Sequence, residues 1–248
     1  MGRTKLISIF KINLSFIIKY ITVFSLLIGY LNCQAQKTQE KAKESFKNKN
    51  YQLTLDELSS INSSEINFDS LLYIKAYSEI KLNKIKEAGV SISQLQQINP
   101  NYYESHFLKG LIYALKEKYP DAISSFNKVL DSNPTHEKAL YNRAIAKGLL
   151  EDYSGAIKDL DKCISLNSTY ALAYYNRGFW HEQSGNFDNA INDYSKTISL
   201  DKHYSEAYIA LAYAYSQKGN NLKACETLSK AKDEGVEMAT DLIQNFCK

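Results

Sequence analysis

The 248-residue chain repeats itself every 34 residues, and that period restricts its fold more than any other feature. Ala88, Ala122, Ala156, Ala190 and Ala224 form an unbroken row at this spacing. Four residues after each stands a larger apolar residue: Ile92, Phe126, Leu160, Tyr194 and Leu228. A second row of small residues runs through Ala76, Gly110, Ala144, Gly178 and Ala212. Pro100 and Pro134 hold the same offset, which continues without proline at Ser168 and Lys202. Such a chain stacks copies of one small unit, each burying its apolar face against its neighbours.

Within a unit the apolar residues recur at helical intervals, as in Ala171, Tyr174, Tyr175 and Gly178, and again in Ala190, Ile191, Tyr194 and Ile198. Ser184-Gly185-Asn186 interrupts the pattern, so the unit reads as helix, turn, helix. Small side chains at fixed places let paired helices approach closely, and the larger residue four positions on fills the space beside them. Composition agrees with a folded helical chain. Ten Gly and three Pro exclude collagen and polyproline arrays, and an interior proline costs a helix about 3 kcal/mol. Charged residues at 23% and hydrophobic ones at 44% exclude wholesale disorder.

Ala171-Leu172-Ala173-Tyr174-Tyr175-Asn176-Arg177-Gly178, then Gly185-Asn186-Phe187, then Ala190-Ile191-Asn192-Asp193-Tyr194 together resemble the tetratricopeptide repeat (TPR) family. The preceding unit echoes them with Ala139-Leu140-Tyr141-Asn142-Arg143-Ala144, Asp152-Tyr153 and Ala156-Ile157. The expected fold is all-α, an α-solenoid of five repeats over 69–102, 103–136, 137–170, 171–204 and 205–238. Residues 36–68 read as a degenerate sixth unit at the front, in which Tyr51, Leu55 and Leu58 keep the register and Thr54 replaces the alanine. Met238, Leu242, Ile243 and Phe246 stripe a capping helix over 237–248, expected to close the last groove.

The resemblance implies a binding surface, because the first helix of each TPR unit lines an inner face through its second, fifth, sixth and ninth positions. On this chain the fifth positions include Tyr73, Phe107, Tyr141 and Tyr175, and the ninth include Tyr77, Phe179 and Tyr213. Part of the surplus of 19 tyrosines thus falls on one wall, where a tyrosine offers contact area and a hydroxyl at low entropic cost. At the sixth positions Asn142 and Asn176 can exchange hydrogen bonds with an extended backbone. Arg143 and Arg177 follow them, available to a carboxylate or to a neighbouring helix. The implied function is protein–protein interaction, with an extended segment of a partner laid along the inner face. The alternative is a structural subunit of an envelope assembly that docks by its convex face or ends. A carboxylate clamp of the chaperone-binding kind is excluded by Tyr and Phe where it wants Lys, and Lys138 alone does not restore it.

No catalytic reading competes. His106, His136, His181 and His203 fall at unrelated repeat positions with no metal-ligand spacing, and no phosphate loop or GxSxG exists. No metal, cofactor or small-molecule substrate is expected. His181 reads as a groove or packing residue, and Trp180, next to Phe179, as one packed against the neighbouring helix.

The charge is uneven. Residues 1–35 hold Arg3, Lys5, Lys11 and Lys19 and no acid; the remaining 26 basic residues stand against 27 acidic ones, so the body is neutral and nucleic-acid binding has no electrostatic support. That basic head runs into the apolar stretch Tyr20 to Leu31, 12 residues long, against about 20 for a membrane span. Residues 1–35 therefore read as a signal peptide cut between Ala35 and Gln36, with the protein exported to the periplasm, cell envelope or medium. Two alternatives stay open: a lipid on Cys33, whose flanking Tyr30 and Asn32 depart from the lipoprotein pattern, and an uncleaved anchor.

In an oxidising compartment paired thiols join. Cys225 lies ten residues before the Gly235 turn and Cys247 twelve after it, which places them roughly 3 Å apart along antiparallel helices. They are the candidate disulfide. Cys163 reads as a buried, inert thiol.

Overall fold

The computed structural model describes residues 33–61 and 69–247, together with Ser25, Gly29 and Tyr30. The head of the expected signal peptide thus lies outside the described residues. Ala35 and Gln36 fall near the start of the first described helix. Every regular element among the described residues is an α-helix. None of these helices is long and apolar enough to cross a membrane.

The chain divides into two compact units, 1–102 and 103–248. The first holds α1 (33–47), α2 (Tyr51–Ser59), α3 (Asp69–Lys81) and α4 (Ile85–Ile98). The second holds α5 (Glu104–Leu115), α6 (Tyr119–Ser132), α7 (Glu137–Leu149), α8 (Tyr153–Leu166), α9 (Ala171–Gln183), α10 (Phe187–Leu200), α11 (Ser205–Gln217), α12 (Asn221–Asp233) and α13 (Glu237–Phe246). In the second unit each helix packs on the next, and α5, α7, α9 and α11 also touch in series. That series is the row of first helices.

The two small-residue rows explain the close packing. Ala88, Ala122, Ala156, Ala190 and Ala224 are all fully buried. In the second row, a methyl group on Gly110 would come 2.4 Å from the ring of Phe126, and one on Gly178 3.0 Å from that of Tyr194. The units with alanine in that row carry aliphatic Ile92, Leu160 or Leu228 instead. Size is therefore shared across each hairpin: glycine faces an aromatic ring, alanine an aliphatic chain.

In the first unit, α1 turns onto α2 with Ser45 donating to Glu57 at 2.8 Å, and Ala42, Leu58, Ile61, Leu71 and Ile74 form the core. Thr54, in the alanine row, is fully buried and satisfies its hydroxyl on the Asn50 carbonyl at 2.9 Å.

A third row sets the turns. Lys49, Asn83, Glu117, Glu151, Gly185 and Gly219 all adopt positive φ, from 56° to 77°, the left-handed bend that ends a helix. The next residue caps the second helix. Asn50, Asp152, Asn186 and Asn220 accept a backbone N–H three residues on, whereas Lys84 and Lys118 make no side-chain cap.

The capping helix differs from its expected stripe. Met238 is 63% exposed and Ala239 takes the buried place, because the helix starts at Glu237 and its first turn points the methionine outward. Leu242 and Ile243 pack against Ala212, Ala224 and Leu228, as does Cys247. A disulfide joins Cys247 to Cys225 on α12, with their Cα atoms 5.6 Å apart.

Candidate functional site

The fifth and ninth positions of a helix lie one turn apart on the same face. In the second unit, Tyr175 and Phe179 on α9 stand beside Ile209 and Tyr213 on α11. Val236 and Met238, at the start of α13, complete an open apolar hollow of about 580 Å³. That volume falls within the roughly 300–1,000 Å³ usual for ligand sites. Tyr213 is 50% exposed at its rim. Of the expected partner residues, the hollow thus brings together Tyr175, Phe179 and Tyr213.

Two carboxylates line it, Glu182 and Glu206. The fully buried Tyr194 donates its hydroxyl to Glu182 Oε2 at 3.0 Å. Burial raises the Glu182 carboxyl above its ordinary range, with the Tyr194 hydrogen bond opposing the shift. Burial likewise raises the Tyr175 hydroxyl, helped by Glu206 and Glu182.

The remaining expected residues make contacts within the fold. Phe107 is 1% exposed, between Phe126 at 6.0 Å and His136 at 5.1 Å, and so is a core residue and no part of an open wall. A phenylalanine at this place has no hydroxyl to hold at the surface and packs inward. Asn142 turns its amide onto the Lys138 carbonyl of its own helix at 2.7 Å. Asn176 donates to the Leu172 carbonyl at 2.8 Å and to the Tyr141 hydroxyl at 2.9 Å. Asn176 thus spends both of its amide N–H donors inside the molecule, and Asn142 one of its two. In the first unit, Tyr73 and Tyr77 belong to an edge-to-face cluster with Phe46, whose ring lies 5.4 Å from that of Tyr77.

These fifth-position rings have a partner that sequence reading missed. Tyr73 meets Tyr102 at 6.4 Å, Phe107 meets His136 at 5.1 Å, Tyr141 meets Tyr170 at 5.5 Å and Tyr175 meets Tyr204 at 4.9 Å. The second member always comes 29 residues later, just before the next first helix. The signal was present as a row at the same 34-residue offset. Burial pushes the Tyr204 hydroxyl up to about 12, with Tyr175 and then acidic neighbours adding to it.

Arg143 and Arg177 are structural. Arg177 grips both oxygens of the buried Asp193 at 2.9 and 2.6 Å, and Asp161 on the preceding unit at 2.6 Å. Arg143 repeats the arrangement with Asp159 and Asn127. Each therefore joins three helices. Trp180 stacks on Tyr153 at 5.9 Å and lies so close to Gly148 that an added methyl would come 2.3 Å from its ring. Cys163 is buried, and desolvation pushes its thiol up to about 12, with Glu137 and Asp159 adding to the shift. Among the described residues no three His, Cys, Asp or Glu side chains converge as a metal site.

The tetratricopeptide-repeat family profile matches residues 103–136, 137–170, 171–204 and 205–233, all in the second unit. No curated protein matches the chain. Among solved structures, MamA is similar with 28% identity over 66% of this chain and 96% of that one, at a TM-score of 0.61. PilW, a widely conserved type IV pilus biogenesis factor, shares the fold with 16% identity over 84% and 98%, at a TM-score of 0.73. YrrB, a TPR protein with an unusual peptide-binding site, shares it with 20% identity over 72% and 93%, at a TM-score of 0.61. With the profile covering more than half of its length and the repeating helical hairpins already described, the chain belongs to the tetratricopeptide-repeat family.

Proposed function

We propose that this protein is an exported interaction module that holds an extended segment of a partner protein in the hollow formed by α9, α11 and the start of α13. The observation that carries the reading is the hollow itself, where Phe179, Tyr213 and Met238 offer apolar surface without a covering element. Monomers keep such patches small unless something binds them. TPR units are interaction modules, and the chain has four matched ones. Export is supported by the basic, acid-free head and by the Cys225–Cys247 disulfide, which persists in oxidising compartments.

A crosslinking pull-down from the native envelope fraction tests the reading. Wild type and a Phe179→Ala, Tyr213→Ala variant of equal helicity by circular dichroism are compared. Capture of one partner by the wild type and its loss in the variant is the expected result. Fractionation with sequencing of the mature N-terminus tests export, the expected first residue being Gln36; a blocked, lipidated Cys33 makes the protein a lipoprotein instead.

A structural subunit is the second reading. Leu115, Leu149 and Leu150 are 57%, 49% and 45% exposed where α5 and α7 end. Under it, Leu149→Lys releases the partner and the hollow variant does not.

A further inference from the structure

The two carboxylates of the hollow differ from the buried aspartates of this unit. Asp159 and Asp193 are buried and each is held by an arginine within 2.6 Å. Glu182 and Glu206 stand in an otherwise uncharged and mostly apolar lining, and neither has a lysine, arginine or histidine at ion-pair distance among the described residues. Among the described residues the Glu182 side chain accepts its hydrogen bond from the neutral hydroxyl of Tyr194. Its raised carboxyl reports the cost of desolvation without a compensating cation.

An apolar segment that filled this hollow would strip water from both carboxylates. Without a positive charge of its own, it would leave buried charges unpaired, which costs far more than the apolar contact is worth. A segment carrying a cation between its apolar side chains would supply the missing partner. Arginine suits the place better than lysine, since its planar guanidinium lies flat on a tyrosine face while donating to a carboxylate. Tyr175 and Tyr213 supply such faces in the same lining.

Resting on the reading that this hollow is the partner site, we propose that the segment it takes is apolar and cationic: large apolar side chains seated on Phe179, Ile209 and Met238, with an arginine between them meeting Glu182 and Glu206. Acidic and uncharged apolar segments are rejected by the same pair.

The test uses the disulfide-bonded mature protein and fluorescein-labelled, acetylated and amidated nonapeptides. Leu, Phe and Met occupy the flanking positions, and Arg, Lys, citrulline or Glu the centre. Citrulline keeps the shape of arginine and removes its charge. Fluorescence anisotropy is expected to show Arg peptides binding on the order of tenfold tighter than citrulline peptides, with Lys between and Glu weakest. Glu182→Gln with Glu206→Gln keeps an acceptor for Tyr194 and is expected to abolish the gap from both sides, weakening the Arg peptides and strengthening the citrulline ones. Equal binding of Arg, citrulline and Glu peptides overturns the charge proposal and leaves the hollow as a site. Absence of binding by every peptide, or binding untouched by Phe179→Ala with Tyr213→Ala, overturns the hollow as the partner site and this inference with it.

Discussion

At the residue scale, the repeat tolerates variation only when two positions change together. Gly110 faces Phe126, whereas the equivalent Ala144 faces Leu160. Gly110→Ala drives a methyl into a fully buried ring, and the expected cost is about 1–3 kcal/mol in urea unfolding. Adding Phe126→Leu recreates the alanine–leucine pair that the 137–170 unit already holds, and is expected to recover most of the loss. Glu79 on α3 is a second sensitive residue. It is 5% exposed, one carboxylate oxygen has no partner among the described residues, and burial raises its pKa above the ordinary 4.5 despite the Ser91 hydroxyl and Lys75. A carboxyl raised in the fold stabilises when protonated, so its contribution is present below the unfolded value and is lost as pH rises through the folded one. Glu79→Gln is therefore expected to raise the melting temperature at pH 7, with the gain shrinking as pH falls toward 4.

At the scale of the element, the turn between paired helices is the same left-handed bend six times over, yet only Gly185, Gly219 and, less freely, Asn83 suit it. Glu151 holds φ of 64° with a side chain attached, a conformation that costs a non-glycine residue roughly 1–2 kcal/mol. Glu151→Gly removes that cost and gives back part of it through the freer unfolded chain. The expected outcome is a net gain of about 0.5 kcal/mol by chemical denaturation, while Gly185→Ala loses stability. Helix positions were legible in the sequence because apolar spacing is local. The bend at Glu117 and Glu151 was not, since no glycine marks it and the neighbouring hairpins impose it.

At the scale of the molecule, a stack of units is stabilised by nearest neighbours, so each end frays on its own. The Cys225–Cys247 bond, spanning 22 residues, ties α13 to the last hairpin. A loop of that size is worth about 3 kcal/mol in unfolded-chain entropy. Cys225→Ser with Cys247→Ser is expected to strip α13 of amide-exchange protection while residues 103–204 keep theirs. Because Val236 and Met238 line the hollow, peptide affinity is expected to fall as well.

The 34-residue offset carries the helical hairpins, their boundaries and the small-residue rows, because each depends on spacing along a single helix or on a neighbour one unit away. The roles of the inner-face residues lie beyond its reach. Tyr141, Phe107 and Tyr175 share one repeat position, yet one hydroxyl accepts from Asn176, one ring is buried, and one borders the hollow. Which of these happens depends on what stands 19, 29 and 35 residues away and how large it is. Periodicity ranks equivalent positions as equal; packing, which responds to the volume and polarity of every neighbour at once, separates them.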